Sequence, residues 1–181
     1  MELDSSMSAT TDSNGRPSAE PGAARREILS GDRDALAAID LVVSTTKRRL
    51  LVFDHDLKSR GYNSPQRYET LRRFLLAARG NELRIALHET RGLEADCPRL
   101  VLLAQQFPHS VRLQQTTGIA RNAPDPFVIA DETAYWRKLH YQHPRSVLVI
   151  GDVPDTVSLA ERFSEIWESS EPVPVGGATG L

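Results

Sequence analysis

Val147-Leu-Val-Ile-Gly-Asp-Val-Pro-Asp155, followed by Leu159-Ala-Glu-Arg-Phe-Ser-Glu-Ile-Trp167, is the stretch on which the fold turns. Four apolar residues, Val147 to Ile150, read as a buried strand. Gly151 breaks it, and Asp152 with Asp155 three residues later forms a D-x-x-D version of the capping box that opens a helix. Leu159, Phe163, Ile166 and Trp167 then recur at helical spacing, so one face of that helix must be buried. A buried strand feeding a capped amphipathic helix is the unit from which layered α/β folds are built.

Working backwards, the same alternation repeats. Asp32 or Asp34 can cap a helix carrying Leu36, Ile39, Val42 and Val43, and Leu50 to Phe53 follows as a strand. Ser64 before Pro65 is a cap with a first-turn proline, ahead of the stripe Tyr68, Leu71, Phe74, Leu75 and Ala78, and Gly80 ends that helix. Leu83, Ile85 and Leu87 alternate as a strand. A helix opens at Cys97-Pro98 and buries Leu100, Leu103, Ala104 and Phe107 before Pro108, and Val111, Leu113 and Gln115 form the next strand. From Phe127 the strands crowd together, Phe127 to Ala130, Ala134 to His140 and Val147 to Ile150, as an antiparallel or mixed part of the same sheet. The expected architecture is an α/β sandwich around a mixed β-sheet flanked by helices.

The chain has 181 residues, 40% apolar and 25% charged, with a net charge of -2. Residues 1–24 are rich in small and polar types with no apolar period and read as a disordered tail; residues 171–181 have the same character. The folded domain is then expected over 25–170. Residues 1–24 carry -3 and residues 168–181 carry -2, which leaves +3 on residues 25–167, too small an excess to argue for nucleic acid. Nothing approaches 18 consecutive apolar residues and no signal sequence is visible, so the chain reads as cytoplasmic, with no membrane partner. The single cysteine, Cys97, fits a reducing compartment, and at a helix start it reads as a buried or capping residue. Only Lys47, Lys58 and Lys138 are lysines; the other basic residues are all arginine, a bias that genomic composition alone can produce.

Two constellations invite a chemical reading. Leu51-Val-Phe-Asp54-His-Asp56-Leu resembles the first motif of haloacid-dehalogenase phosphatases, and Gly151-Asp152-Val-Pro-Asp155 resembles their last, magnesium-binding motif. With Thr90 and Lys138, these imply a magnesium-dependent phosphatase using Asp54, Asp56 and Asp152. Against it, Lys58 stands where that family has a small hydroxyl residue, and Asp152 already reads as a helix cap.

The second resemblance spans the whole folded region. The element order, with the Asn63-Ser-Pro-Gln helix, the strand ending in Ala130-Asp131 and the closing helix with Phe163 and Trp167, is similar to one half of a phospholipase-D-like domain. That family's H-x-K-x-x-x-x-D motif supplies a histidine nucleophile and a lysine clamp. If Asp131 is the final Asp, the other two positions fall on Pro124 and Pro126, and the Gly-Ser-x-Asn that commonly follows falls near Lys138-Leu-His-Tyr141 and is absent. The strings Phe53-Asp-His-Asp-Leu57, Leu83-Arg-Ile-Ala-Leu-His88, Cys97-Pro-Arg-Leu100 and Arg137-Lys-Leu-His-Tyr141 resemble a bacterial family of such degenerate domains, of unknown function. The resemblance implies the fold, no catalytic residues, no cofactor, and pairing as a homodimer or with a partner protein.

Of the histidines, His55, His88, His109, His140 and His143, none shows metal-ligand spacing, so no metal is expected. His55 and His88 both follow strands; if those are parallel neighbours, their ends share one rim of the sheet. Asp54, His55, Asp56, His88, Arg137 and His140 form the candidate ligand-binding cluster, with a solvated rim as the plainer reading. A third reading, an anion or nucleic-acid binder, would use Arg137, Lys138 and the arginine-rich segments around Arg48 and Arg72.

Overall fold

The computed structural model describes residues 24–139 and 144–174. Fourteen elements follow one another: β1 (Arg25–Ser30), α1 (Asp32–Thr45), β2 (Arg49–Asp54), α2 (Pro65–Ala77), β3 (Glu82–Leu87), α3 (Leu93–Asp96), α4 (Pro98–Gln106), β4 (Val111–Thr116), a 3-10 turn (Gly118–Asn122), β5 (Phe127–Ala130), β6 (Ala134–Lys138), β7 (Arg145–Ile150), α5 (Val153–Glu168) and β8 (Ser170–Pro172). The strands form one mixed sheet in the order β1-β7-β6-β5-β2-β3-β4-β8, parallel across β2, β3 and β4 and antiparallel elsewhere. The expected mixed sheet flanked by helices is what the chain forms.

Strand alternation sorts the core into two layers. Leu50, Val52, Leu83, Ile85, Val128 and Trp136 face α1, α2 and α4. Leu51, Phe53, Ala86, Phe127, Ile129 and Val149 face α5, where Leu159, Phe163 and Ile166 meet them. Sealing a side chain such as Leu83 or Ile85, each 0% exposed, contributes about 1.5–3 kcal/mol by removing apolar area from water.

Two expected caps are in place. The Ser64 hydroxyl accepts the Arg67 N–H at 3.2 Å, and the Asp152 carboxylate accepts the Asp155 N–H at 3.2 Å. At α1 the expectation fails: the cap position is Gly31, at φ 93, and Asp32 and Asp34 lie inside the first turn. The Gly31 N–H is spent on the Pro144 carbonyl at 3.0 Å, which ties the strand-to-helix turn to the start of β7, and a left-handed backbone here needs glycine.

Both edge strands were unforeseen. In β1 only Leu29 is buried, so its sequence carries no alternating signal. β8 is three residues long and pairs with β4 through Gln114–Thr116, so sheet pairing runs past Ser170, the expected end of the domain. The remainder of the expected tails, 1–23 and 175–181, lies outside the described residues. Cys97 is 1% exposed, and burial pushes its thiol up to about 11, so it is an inert core group.

Candidate functional site

Because β2, β3 and β4 are parallel, their C-terminal ends meet at one rim, where β5 and β7 begin and β6 ends. The pairing runs on past the strands: the His88 N–H donates to the Asp54 carbonyl at 3.2 Å and the Glu89 N–H to the His55 carbonyl at 2.8 Å. His55 and His88 therefore meet as the sequence suggested, ring edge to ring face, with centroids 5.8 Å apart.

The pleat nevertheless divides the candidate cluster. Asp54 continues the Leu50-Val52 series toward α1 and α2, whereas His88 continues the Ala86 series and packs edge-on to Phe53 at 5.1 Å on the α5 side. Asp54 is buried. One of its oxygens accepts the Arg60 Nε–H at 2.8 Å and the other accepts the His55 N–H at 2.7 Å. Burial raises this carboxyl above the usual range, while Arg60 and the His55 N–H pull the other way. Arg60 itself is buried over the Trp136 ring, 5.3 Å from its centroid.

On the other side, His88 is committed at both nitrogens. A backbone carbonyl only accepts, so Nε2–H donates to Ala123 at 2.8 Å; Nδ1 is then the acceptor, at 2.6 Å from the Thr116 hydroxyl. Burial depresses its pKa first, against the opposing pull of the Ala123 carbonyl, so the ring is neutral at neutral pH. The sign of the linkage follows. A depressed folded-state value contributes stability above the ordinary 6.5, and that contribution is lost as pH falls from 6.5 through the folded value, because the unfolded chain takes up the proton first. Urea midpoints measured on either side of pH 6.5 should fall on acidification, and His88→Gln should flatten that slope. An unchanged slope would show that other groups set it.

The remaining candidates are tied into the scaffold. Asp56 accepts the Lys58 N–H at 3.1 Å, shaping the loop after β2, and lies 3.6 Å from His55 Nδ1. Arg137 is paired with the largely buried Asp125 at 2.8 Å. Burial first, and the Arg60 charge second, lower the Lys138 pKa; its N–H donates to the Pro126 carbonyl at 2.9 Å. His140 and His143 lie outside the described residues.

The phosphatase arrangement does not assemble. β7 runs down the sheet, with Ile150 level with Ala134, Ala130 and Leu50, so Asp152 leaves the opposite rim, roughly 13 Å along the strands from Asp54 and three strands across. Thr90, the proposed phosphate clamp, donates to the Gln115 side chain at 2.9 Å. Arg48 also lies at the opposite rim from Arg137 and Lys138, so these cations do not form one anion-binding face. Asp131 is there too, at φ 49, and its carboxylate accepts the backbone N–H groups of Lys47, Arg48 and Arg49, the last two at 2.8 and 2.7 Å. It closes the β5–β6 turn over the start of β2. No group of three or more metal-ligating side chains occurs among the described residues.

What the rim does contain is a pocket of about 240 Å³, lined by Phe53, His55, His88, Arg121, Pro124 and Pro126, among others. Arg121 and the 3-10 turn that carries it were not singled out in the sequence. The turn has no apolar period, and in a chain so rich in arginine one more attracts no notice.

Residues 31–175 match the model of a family described as a domain of unknown function, DUF7931. The chain belongs to that family. The comparison with curated proteins finds no match for this DUF7931 domain. Solved structures share its fold. The archaeal chromatin protein TrmBL2, described as showing a novel mode of DNA binding, superposes with a TM-score of 0.61 at 18% identity over 82% of this chain; the chain spans 54% of that protein. NucT from Helicobacter pylori gives 0.58 at 11% identity, covering 83% of this chain and 100% of that one. Nuc from Salmonella typhimurium, a phospholipase D family member, gives 0.55 at 12% identity, covering 82% and 99%. The DUF7931 domain thus has a phospholipase-D-like fold; identities this low speak to fold alone. No helix among its described residues is long and apolar enough to cross a membrane.

Proposed function

We propose that this DUF7931 domain is a degenerate, bacterial phospholipase-D-like domain that acts in the cytoplasm as a non-enzymatic binding or scaffolding module. The observation that carries the reading is the state of the rim. Prolines occupy positions 124 and 126, where the resemblance calls for nucleophile and clamp, and two of the polar side chains that line the same pocket are spent. Both nitrogens of His88 and both carboxylate oxygens of Asp54 are already bonded, so neither is poised to attack phosphorus. What is left is a shaped pocket with one guanidinium at its edge, which suits binding better than turnover.

Purified protein should hydrolyse neither a chromogenic phosphate monoester nor the corresponding diester, with or without magnesium. Magnesium-dependent monoester turnover that disappears in Asp54→Asn would overturn the reading in favour of a phosphatase. Metal-independent diester turnover would mean that another nucleophile replaces the missing pair. The reading includes pairing with a second copy or a partner protein, by analogy with the two halves of active relatives. Sedimentation showing a monomer at every concentration would count against the homodimer.

A further inference from the structure

We propose that Arg121 anchors a small organic oxyanion, a single flat ring bearing a carboxylate or phosphate, in the rim pocket; this rests on the binding-module reading and names its ligand class.

Charge balance is the first support. Around the pocket each carboxylate is matched: Asp54 by Arg60 at 2.8 Å, Asp125 by Arg137 at 2.8 Å, and Glu89 by Arg91 at 3.9 Å. Among the described residues Arg121 has no carboxylate within ion-pair distance. Its positive charge is therefore the uncompensated one at this edge of the site, and a guanidinium recognises a planar oxyanion through paired N–H donors.

Geometry is the second. The Arg121 Nε–H is held by the Thr116 carbonyl at 3.3 Å, which leaves the terminal nitrogens as the available donors. The same residue lines both the 240 Å³ pocket and a neighbouring cleft of about 580 Å³ that runs along Thr116, Thr117 and Gly118 toward Glu171. Arg121 thus borders both cavities. Glu171, which lines the larger cleft as well, disfavours anions there.

Shape is the third. Phe53, Pro124, Pro126 and the His88 ring supply flat apolar surface, and His88 is held neutral with no donor to spare. A cavity of about 150 Å³ accommodates benzene, so the 240 Å³ here suits one ring with a small anionic substituent.

The test titrates the full chain with phenyl phosphate, benzoate and inorganic phosphate, followed by amide ¹H–¹⁵N shifts. At least one aryl anion should saturate, with shifts concentrated at His55, His88 and Arg121, and inorganic phosphate should bind more weakly than phenyl phosphate because it lacks the ring. Arg121→Gln should weaken binding about tenfold or more, the worth of a charge-assisted hydrogen bond. Arg121 is exposed, so the variant's amide spectrum away from the pocket reports that it still folds. Saturation by benzoate or by phenyl phosphate tells a carboxylate from a phosphate ligand. Failure of both aryl anions to saturate, or affinity unmoved by Arg121→Gln, overturns the inference. Neither result touches the non-enzymatic reading, which falls only if phenyl phosphate or the chromogenic esters are turned over.

Discussion

Replacing Asp54 by alanine should lower the unfolding free energy by about 3–5 kcal/mol, because it strands a buried guanidinium without its counter-charge. The side chains of Arg60 and Asp54 are 8% and 6% exposed, so water cannot stand in for the lost partner. The Arg60 head would be left over the Trp136 ring, a contact that offsets only part of the desolvation cost. Burial is the dominant influence on the Asp54 carboxyl, so the pair itself is a small source of stability and the damage comes from removing half of it. The double variant Asp54→Ala with Arg60→Leu should therefore recover much of the loss in urea unfolding. A double variant as unstable as the single one would show that the loop around Arg60, and not its charge, sets the cost.

Arg67→Ala should cost about 2–3 kcal/mol for a different reason: the side chain of its partner Asp40 is 46% exposed, so no buried charge is stranded, but the buried Arg60 carbonyl loses its donor. Arg67 is 2% exposed although it lies in α2. Its Nε and Nη2 grip Asp40 of α1 at 2.8 and 2.7 Å, Nη1 donates to the Arg60 carbonyl, Nη2 also reaches the Leu36 carbonyl at 3.4 Å, and the guanidinium lies 4.9 Å over the Tyr62 ring. One side chain thus joins two helices and the loop between β2 and α2. Gly61 belongs to the same arrangement: at φ 73 it takes a left-handed turn, and a Cβ there would come within 3.3 Å of Arg67 Nη1. Arg67→Lys should restore little, since an ammonium cannot make the forked contacts. Hydrogen exchange across residues 57–64 should accelerate in Arg67→Ala. Because Arg67 holds the carbonyl of Arg60, its effect and that of Asp54→Ala should add to less than their sum. Strict additivity would mean that the two arginines act independently.

Both arginines escaped the sequence reading, as did Arg121. Nothing local distinguishes a buried arginine from a solvated one, since burial depends on which helix crosses above it. The split between Asp54 and the two histidines is different, for its signal was present. Leu50, Val52 and Asp54 share one parity in β2, and Leu51 and Phe53 the other, so strand alternation alone separates Asp54 from a cluster on the Phe53 side. Asp152 and Asp54 could be placed at opposite rims only once the direction of β7 was known, and that follows from how β5, β6 and β7 pair.

The local sequence determined the helices with clear caps, the apolar strands β2 to β7 and the mixed-sheet architecture, because caps and hydrophobic period act between residues close in the chain. The edge strands β1 and β8 were decided only by the tertiary structure. β1 buries one residue and β8 none, so what makes them strands is the row of hydrogen-bonding groups that β7 and β4 present to them. The rim was decided the same way. Parallel pairing of β2 with β3 brings His55 against His88, residues 33 positions apart in the sequence, and the 3-10 turn after β4 brings Arg121 to the same pocket. Contacts between residues so far apart in the chain arise from packing, which no local pattern encodes.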